Sequence, residues 1–392
     1  MKRAAIVLSV LGVFLWAGCG GGDGQSSENP VSNLRVRAFV TNTFTGNVTI
    51  IDAEQDRPTG FTPANIAGGG GMYLSPDKKI TIVKSATLGL LTAIDNTKET
   101  SVTGNLGMGD IVGDVVMAPD NKTLYASLRN LTNTNAPAGA VRIVDYTAGT
   151  ITNTIPVRNA RGLALDPQGK RLLAFSDSLD VVTVIDVSTA TPATTTLTGF
   201  SRPVAGFFTA DGSKVYILSC GAECGGTQAA VTEVTFASGA TRSVNVEGAT
   251  VGFLNGSTLY VAGAPNGSGG TVQTIDTNAM TASAPVNIGP GTHTSMEFAG
   301  NKVWIGARDC GTSRGCLSLF DPSNNQVVVN DPPAGQASNG NLTGMTFIEP
   351  RSVMYTIEGG ELKVYDLALK EIPTTIDIVG EAGDVQYVPK LQ

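Results

Sequence analysis

The residues of this chain with chemical potential are Asp110, Asp114, Arg158, Arg161, Arg202, Glu247, His293, Asn341, Glu381 and Asp384. Each stands ahead of, or at the start of, a short run of small and apolar residues. Gathered around one opening, carboxylates and guanidiniums of both signs could bind a small polar ligand, a peptide or a glycan; kept apart, they are solvated loop residues. His293 is the chain's one histidine. A lone imidazole cannot build a multi-histidine metal site, and a Ser–His–Asp arrangement would hang entirely on it. No Gly-x-Ser-x-Gly elbow occurs, and the glycine-rich stretches Gly68–Gly71 and Asn266–Gly270 are not followed by Lys-Ser/Thr. Phosphate cradles need that context, so these stretches read as loops. No catalytic residue, metal or cofactor is therefore expected.

Five cysteines are present, an odd number. Four fall in two local pairs, Cys220/Cys224 in CGAEC and Cys310/Cys316 in CGTSRGC, at the same place in an internal repeat. In an oxidising compartment they read as two loop-closing disulfides. A four-thiolate zinc site is the competing idea, although the pairs lie far apart and no C-x-x-C spacing occurs.

The fifth cysteine explains itself by position. Lys2 and Arg3 precede an apolar core over residues 4–15, and Trp16-Ala17-Gly18-Cys19 closes the segment. That core is shorter than the roughly 20 residues a spanning helix needs. Small residues before a cysteine resemble the bacterial lipobox, although Leu15 stands four places before Cys19 rather than three. The resemblance implies a signal peptide over 1–18, cleavage, and lipidation of Cys19. Residues 19–36, rich in Gly, Ser and Asn, then form a flexible tether. Gly20 occupies the place where Asp would favour retention at the inner membrane, so the expected location is the cell envelope, at the outer membrane, facing the periplasm or the surface.

The elements that must position these residues come from a phrase of about 44 residues that recurs eight times after residue 36. Its copies contain RAFVTN…NVTIID, ITIVKS…LLTAID, LYASLR…VRIVD, LLAFSD…VTVID, VYILSC…TEVT, LYVAGA…VQTID, VWIGAR…LSLFD and MYTIEG…LKVYD. Four short strands per copy predict propeller blades, hence an all-β single domain over residues 37–392. Innermost strands are expected near residues 72–75, 115–118, 163–166, 207–209, 251–254, 295–298, 346–348 and 385–388. The first copy lacks an innermost strand and the last segment is one with nothing after it, so the two ends should pair and close an eight-bladed ring. Seven blades is the alternative, if a weak copy is an elaborated loop. Asp52, Asp95, Asp145, Asp186, Asp276, Asp321 and Asp366 close the third strands ahead of turn-formers, and are expected to cap Asx turns rather than bind metal.

With 26 basic and 33 acidic residues the net charge is −7, and no basic cluster lies beyond residue 3, so nucleic acid is not an expected partner. The phrases RAFVTN, LSPDKK, MAPDNKTLYAS, LALDPQGKRLLAFS and VTVIDVSTAT resemble YVTN-type propeller repeats of exported and surface proteins, which are similar to lactonase-like propellers. That resemblance covers residues 37–389 and implies fold far more than activity. The expected function is that of a non-catalytic, lipid-anchored, monomeric binding or scaffold module for a protein, peptide or glycan. A lactonase-like hydrolase with its site at the channel mouth is the alternative. Extra length at Arg129–Ala140 and Asn330–Asn341 marks one rim as the place for contacts.

Overall fold

A computed structural model describes residues 32–63, 68–102, 104–129, 139–176, 178–265, 269–308, 310, 317–329, 341–374 and 376–390. Among them, secondary structure is almost wholly strand, with short 3₁₀ turns at Gly221–Cys224 and Glu349–Arg351. The strands form eight sheets, and these are the eight blades of a propeller. Blade 1 runs outward as Ala382–Tyr387, Arg37–Asn42, Asn47–Asp52 and Arg57–Pro63, so tail and head share one sheet. The innermost strands of blades 2 to 8 are Met72–Leu74, Val112–Met117, Ala160–Leu165, Pro203–Phe208, Val251–Asn255, Thr292–Ala299 and Leu342–Ile348.

Closure is an antiparallel pairing in which Val40 stands opposite Val385 and Ala38 opposite Tyr387. Side chains reinforce it. Arg37 Nε donates to the Val388 carbonyl at 3.3 Å, Asn42 Nδ2 to the Ile378 carbonyl at 3.2 Å, and the Asp384 amide to Thr41 Oγ1 at 2.8 Å. Behind this seam, Ala38, Val40 and Val385 of blade 1 pack with Val353, Tyr355 and Ile357 of blade 8 in one buried cluster. Arg351 and Tyr355 of blade 8 also bond Asp56 of blade 1.

Second strands read as unbroken apolar runs rather than alternating ones, because each blade is covered on both faces by its neighbours. Leu172, Leu173, Ala174 and Phe175 are accordingly all buried. Outer strands such as Ala193–Leu197 and Ala240–Asn245 meet solvent and are threonine- and serine-bearing. At about 1.5–3 kcal/mol per fully buried aliphatic side chain, the inter-blade layers dominate stability.

The two faces of the disc differ. On one, every first-to-second and third-to-fourth strand turn is short. All seven third-strand aspartates accept backbone N–H groups there, from Glu54, Thr97, Thr147, Ser188, Asn278, Ser323 and Ala368 at 2.8–3.0 Å. The chain also enters on this face: the Ser32 amide donates to Glu99 at 2.8 Å, Arg37 pairs with Glu99 at 2.5 Å, and Val36 is buried. Residues 32–36, expected as tether, thus already belong to the compact unit, which begins at Ser32. The second strands end and the third strands begin at the opposite face, which carries the connection from Ser219 to Ala230. The innermost strands begin on that face.

Candidate functional site

β-Bulges set the site. In blade 3, Gly113 and Asp114 stand together opposite Ser127, between the pairs Val112–Leu128 and Val115–Ala126. Blade 1 repeats the device, with Gly383 and Asp384 opposite Thr41. In each, the aspartate amide donates to the facing hydroxyl at 2.8 Å. Arg161 bulges likewise in blade 4 and Thr294 in blade 7. A bulge re-aims side chains at a strand end, and these four residues lie at the mouth end of the innermost strands. Glycine is required beside Asp114: a Cβ on Gly113 would lie 2.7 Å from the Arg161 carbonyl.

A cavity of about 670 Å³ opens there, spanning blades 3 to 7. Of the residues expected from sequence, it brings together Asp114, Arg161, Arg202 and His293. Arg129, from the Arg129–Ala140 segment expected to form a contact rim, joins them, as do Ser176, Glu223, Thr250 and Thr292, which sequence reasoning had not assigned. Arg129 directly follows the second strand Thr123–Leu128 of blade 3, and a charge closing the apolar run LYASLR was an available signal. Asp110, Arg158 and Glu381 do not line this cavity. Glu247 lines a separate one of about 340 Å³ between blades 5 and 6. Asn341 is exposed at the rim, where its carbonyl accepts the Gly359 amide at 3.1 Å.

Asp384 sits deeper, in a polar cluster around blade 2. Its Oδ2 accepts the Met72 amide at 2.7 Å and its Oδ1 the Val385 amide at 2.9 Å. Burial raises its carboxyl to about 6, against the pull of Lys84 and Arg308. Asp114 accepts the amides of Val115 (2.8 Å) and Leu163 (3.0 Å) and the Tyr73 hydroxyl; burial raises it too. Lys84 Nζ donates to the Gly113 carbonyl at 2.6 Å and lies 5.7 Å from the Tyr73 ring, and burial lowers its pKa. Further along the channel, Glu297 Oε1 accepts the Phe347 amide at 3.0 Å, and burial lifts its carboxyl to about 7. Asp114, Asp384 and Glu297 share one role: each reaches from one innermost strand to an N–H on the next blade's. Those N–H groups lie on the free edge of a sheet and would otherwise lack partners.

His293 is buried, and its Nε2 meets the Gly289 carbonyl at 3.0 Å while Nδ1 has no hydrogen-bond partner. Nε2–H is therefore the donor and the ring is neutral, with burial pulling its pKa down. Among the described residues, neither nitrogen meets a hydroxyl or carboxylate, so none of these couples the imidazole to a nucleophile. Among the described residues, no cluster of three or more His, Cys, Asp or Glu could hold a metal ion.

Cys220 and Cys224 form a disulfide with Cα atoms 5.7 Å apart, across the 3₁₀ turn Gly221–Cys224. That turn holds Glu223 where its Oε2 accepts the Ala264 amide of blade 6 at 2.8 Å. Burial raises the Glu223 carboxyl. Cys310 is disulfide-bonded, while Cys316 and Cys19 lie outside the described residues, as do most of the two long rim segments.

No family model matches the chain, and no curated protein matches it. Solved structures do. A dihydro-heme d1 dehydrogenase, NirN, in complex with DHE superposes with a TM-score of 0.69 at 15% identity, covering 91% of this chain and 76% of that one. A functionally unknown protein from Desulfotomaculum acetoxidans gives 0.58 at 15% identity, over 90% and 99% of the two chains. The hydrazine synthase of Kuenenia stuttgartiensis gives 0.54 at 14% identity, over 90% and 100%. At such identities the likeness is one of fold, and these chains share a propeller architecture.

Proposed function

We propose that this protein is a non-catalytic binding module of the cell envelope, held by a lipid on Cys19, which presents the mouth face of its propeller to a ligand or partner. One observation carries the reading. The cavity of about 670 Å³ and the Cys220–Cys224 turn lie on one face, while the described turns of the other face are short and aspartate-capped. Binding residues concentrate on loops that a rigid scaffold positions. The hydrolase alternative is weaker, because His293 is engaged with a backbone carbonyl and Asp114 with backbone N–H groups and Tyr73. The sequence phrases similar to YVTN-type repeats agree with an exported propeller.

A photo-crosslinking residue placed at Glu381 on the mouth face, or at Asp120 on the opposite face, tests this in intact envelopes. Adducts are expected from position 381 and not from 120; the reverse would overturn the assignment of face. Cys19→Ser is expected to move the protein from the membrane to the soluble fraction, and unchanged membrane recovery would remove the lipid anchor from the proposal.

A further inference from the structure

We infer that the rim of blade 1 on the mouth face docks a segment of a partner protein in which apolar anchors stand beside basic residues; this rests on the binding reading above. Phe44 and Val379 are the most exposed large apolar side chains among the described residues, at 86% and 78%. One buried amide sets both. Asn42 Oδ1 accepts the Phe44 and Thr45 amides at 3.1 and 3.0 Å, and its Nδ2 donates to the carbonyls of Ile378 at 3.2 Å and Val379 at 3.4 Å. The Thr43 amide donates to the Glu381 carbonyl at 2.8 Å and ties the same two loops together. Phe61, exposed as well, stands two residues from the mouth end of the blade's outer strand.

Val379 is held in a conformation that valine avoids. Its φ is +52°, in the left-handed region, where a β-branched side chain is an outlier. Asp377 Oδ1 fixes it by accepting the Val379 amide at 2.8 Å, and Asn42 holds its carbonyl from the other side. Glycine would take this φ freely, and a polar residue would suit the exposure. A strained valine facing solvent serves neither the fold nor solubility. Backbone strain of this kind gathers at clamps and binding sites, where the surrounding structure over-determines it.

Charge chooses the occupant. The mouth-side turns of blades 8, 1 and 2, at 359–360, 43–46 and 85–89, carry no charged residue, and the segment 376–381 beside them carries Asp377 and Glu381, both exposed. Apolar side chains next to carboxylates, with no Lys or Arg in these turns, complement a segment that places Lys or Arg beside its apolar anchors. An anionic lipid surface would be repelled by the same acids. A second copy docked about a two-fold axis would set Asp377 and Glu381 against their own counterparts.

Panning a random peptide library on the full chain in zwitterionic nanodiscs tests the inference. Peptides that combine Lys or Arg with apolar residues should be recovered on the parent and lost on Phe44→Ser and on Val379→Gly. In fluorescence anisotropy, either change should weaken the strongest such peptide about tenfold or more, and Glu381→Gln about two- to fivefold. Phe44→Ser should keep the parent's thermal midpoint. Val379→Gly should keep or raise it, because glycine relieves the left-handed φ; a drop would make that valine structural and overturn the inference. Recovery of acidic peptides instead, or of basic ones that both variants hold equally well, would overturn it too. So would binding of phosphatidylglycerol vesicles, or concentration-dependent dimerisation, that Phe44→Ser abolishes, since either assigns the rim to another occupant. Crosslinks from position 381 that persist unchanged in both variants would overturn the rim and leave the binding module standing; their absence in the parent would overturn both.

Discussion

Glu297 shows how a single side chain can hold two blades together at a cost. Its carboxylate caps the Phe347 amide, yet burial lifts its pKa to about 7 from the ordinary range near 4.5. Between those values the folded protein retains a proton that the unfolded chain releases. The group's contribution to stability is therefore complete below about pH 4.5 and is lost as pH rises through 7. Glu297→Gln keeps the accepting oxygen and removes the charge. Relative to the parent, the variant should gain about 1–2 kcal/mol at pH 8 in urea unfolding, with the gain vanishing near pH 4.5. An equal effect at both values would show that charge burial is not the cause. Residue roles of this kind were only partly legible in the sequence. The turn-capping aspartates were, because their chemistry is local: each bonds an amide two residues on. Asp114 and Asp384 could be placed near the channel, but their partners, Leu163 and Met72, lie on other blades, and no spacing rule reports that.

At the scale of the element, the four strands of a blade carry unequal weight. Leu172 sits in a second strand sealed on both faces, and Thr195 in an outer strand facing solvent. Leu172→Ala should cost about 2–5 kcal/mol and Thr195→Ala less than about 0.5 kcal/mol, read as shifts in denaturant midpoint. Comparable costs would mean that the inter-blade layers are not the main source of stability. The same inequality explains which elements the sequence disclosed. Continuous apolar runs flagged the second strands, and Pro-Asp turns marked where innermost strands end. Where innermost strands begin was less clear: the structure starts blade 3's at Val112, three residues before the expected Val115. Bulges caused this, since a Gly-Asp pair inserted into a strand looks like a loop when read alone. Arg161 and Thr294 gained their places in the mouth by that same irregularity.

For the whole molecule, eight blades depend on one seam. The strand Ala382–Tyr387 supplies the innermost strand of blade 1, and its loss would bare the edge of Arg37–Asn42. A chain ending at residue 380 should lose its sharp thermal transition and elute as aggregates in size-exclusion chromatography. A truncated chain that stays monomeric and melts cooperatively would show that ring closure is dispensable. The ring was legible beforehand because it needs only a count of phrases and a missing piece at each end. The shape of the cavity was not, since it arises from blades up to four apart in order.

Because Ser32–Val36 join the disc on the side away from the cavity, a tag or sensor surface coupled ahead of residue 32 would hold the propeller with its opening outward. Immobilisation through that end, rather than through random lysines, is therefore the format in which weak ligands could be measured without blocking their path of entry.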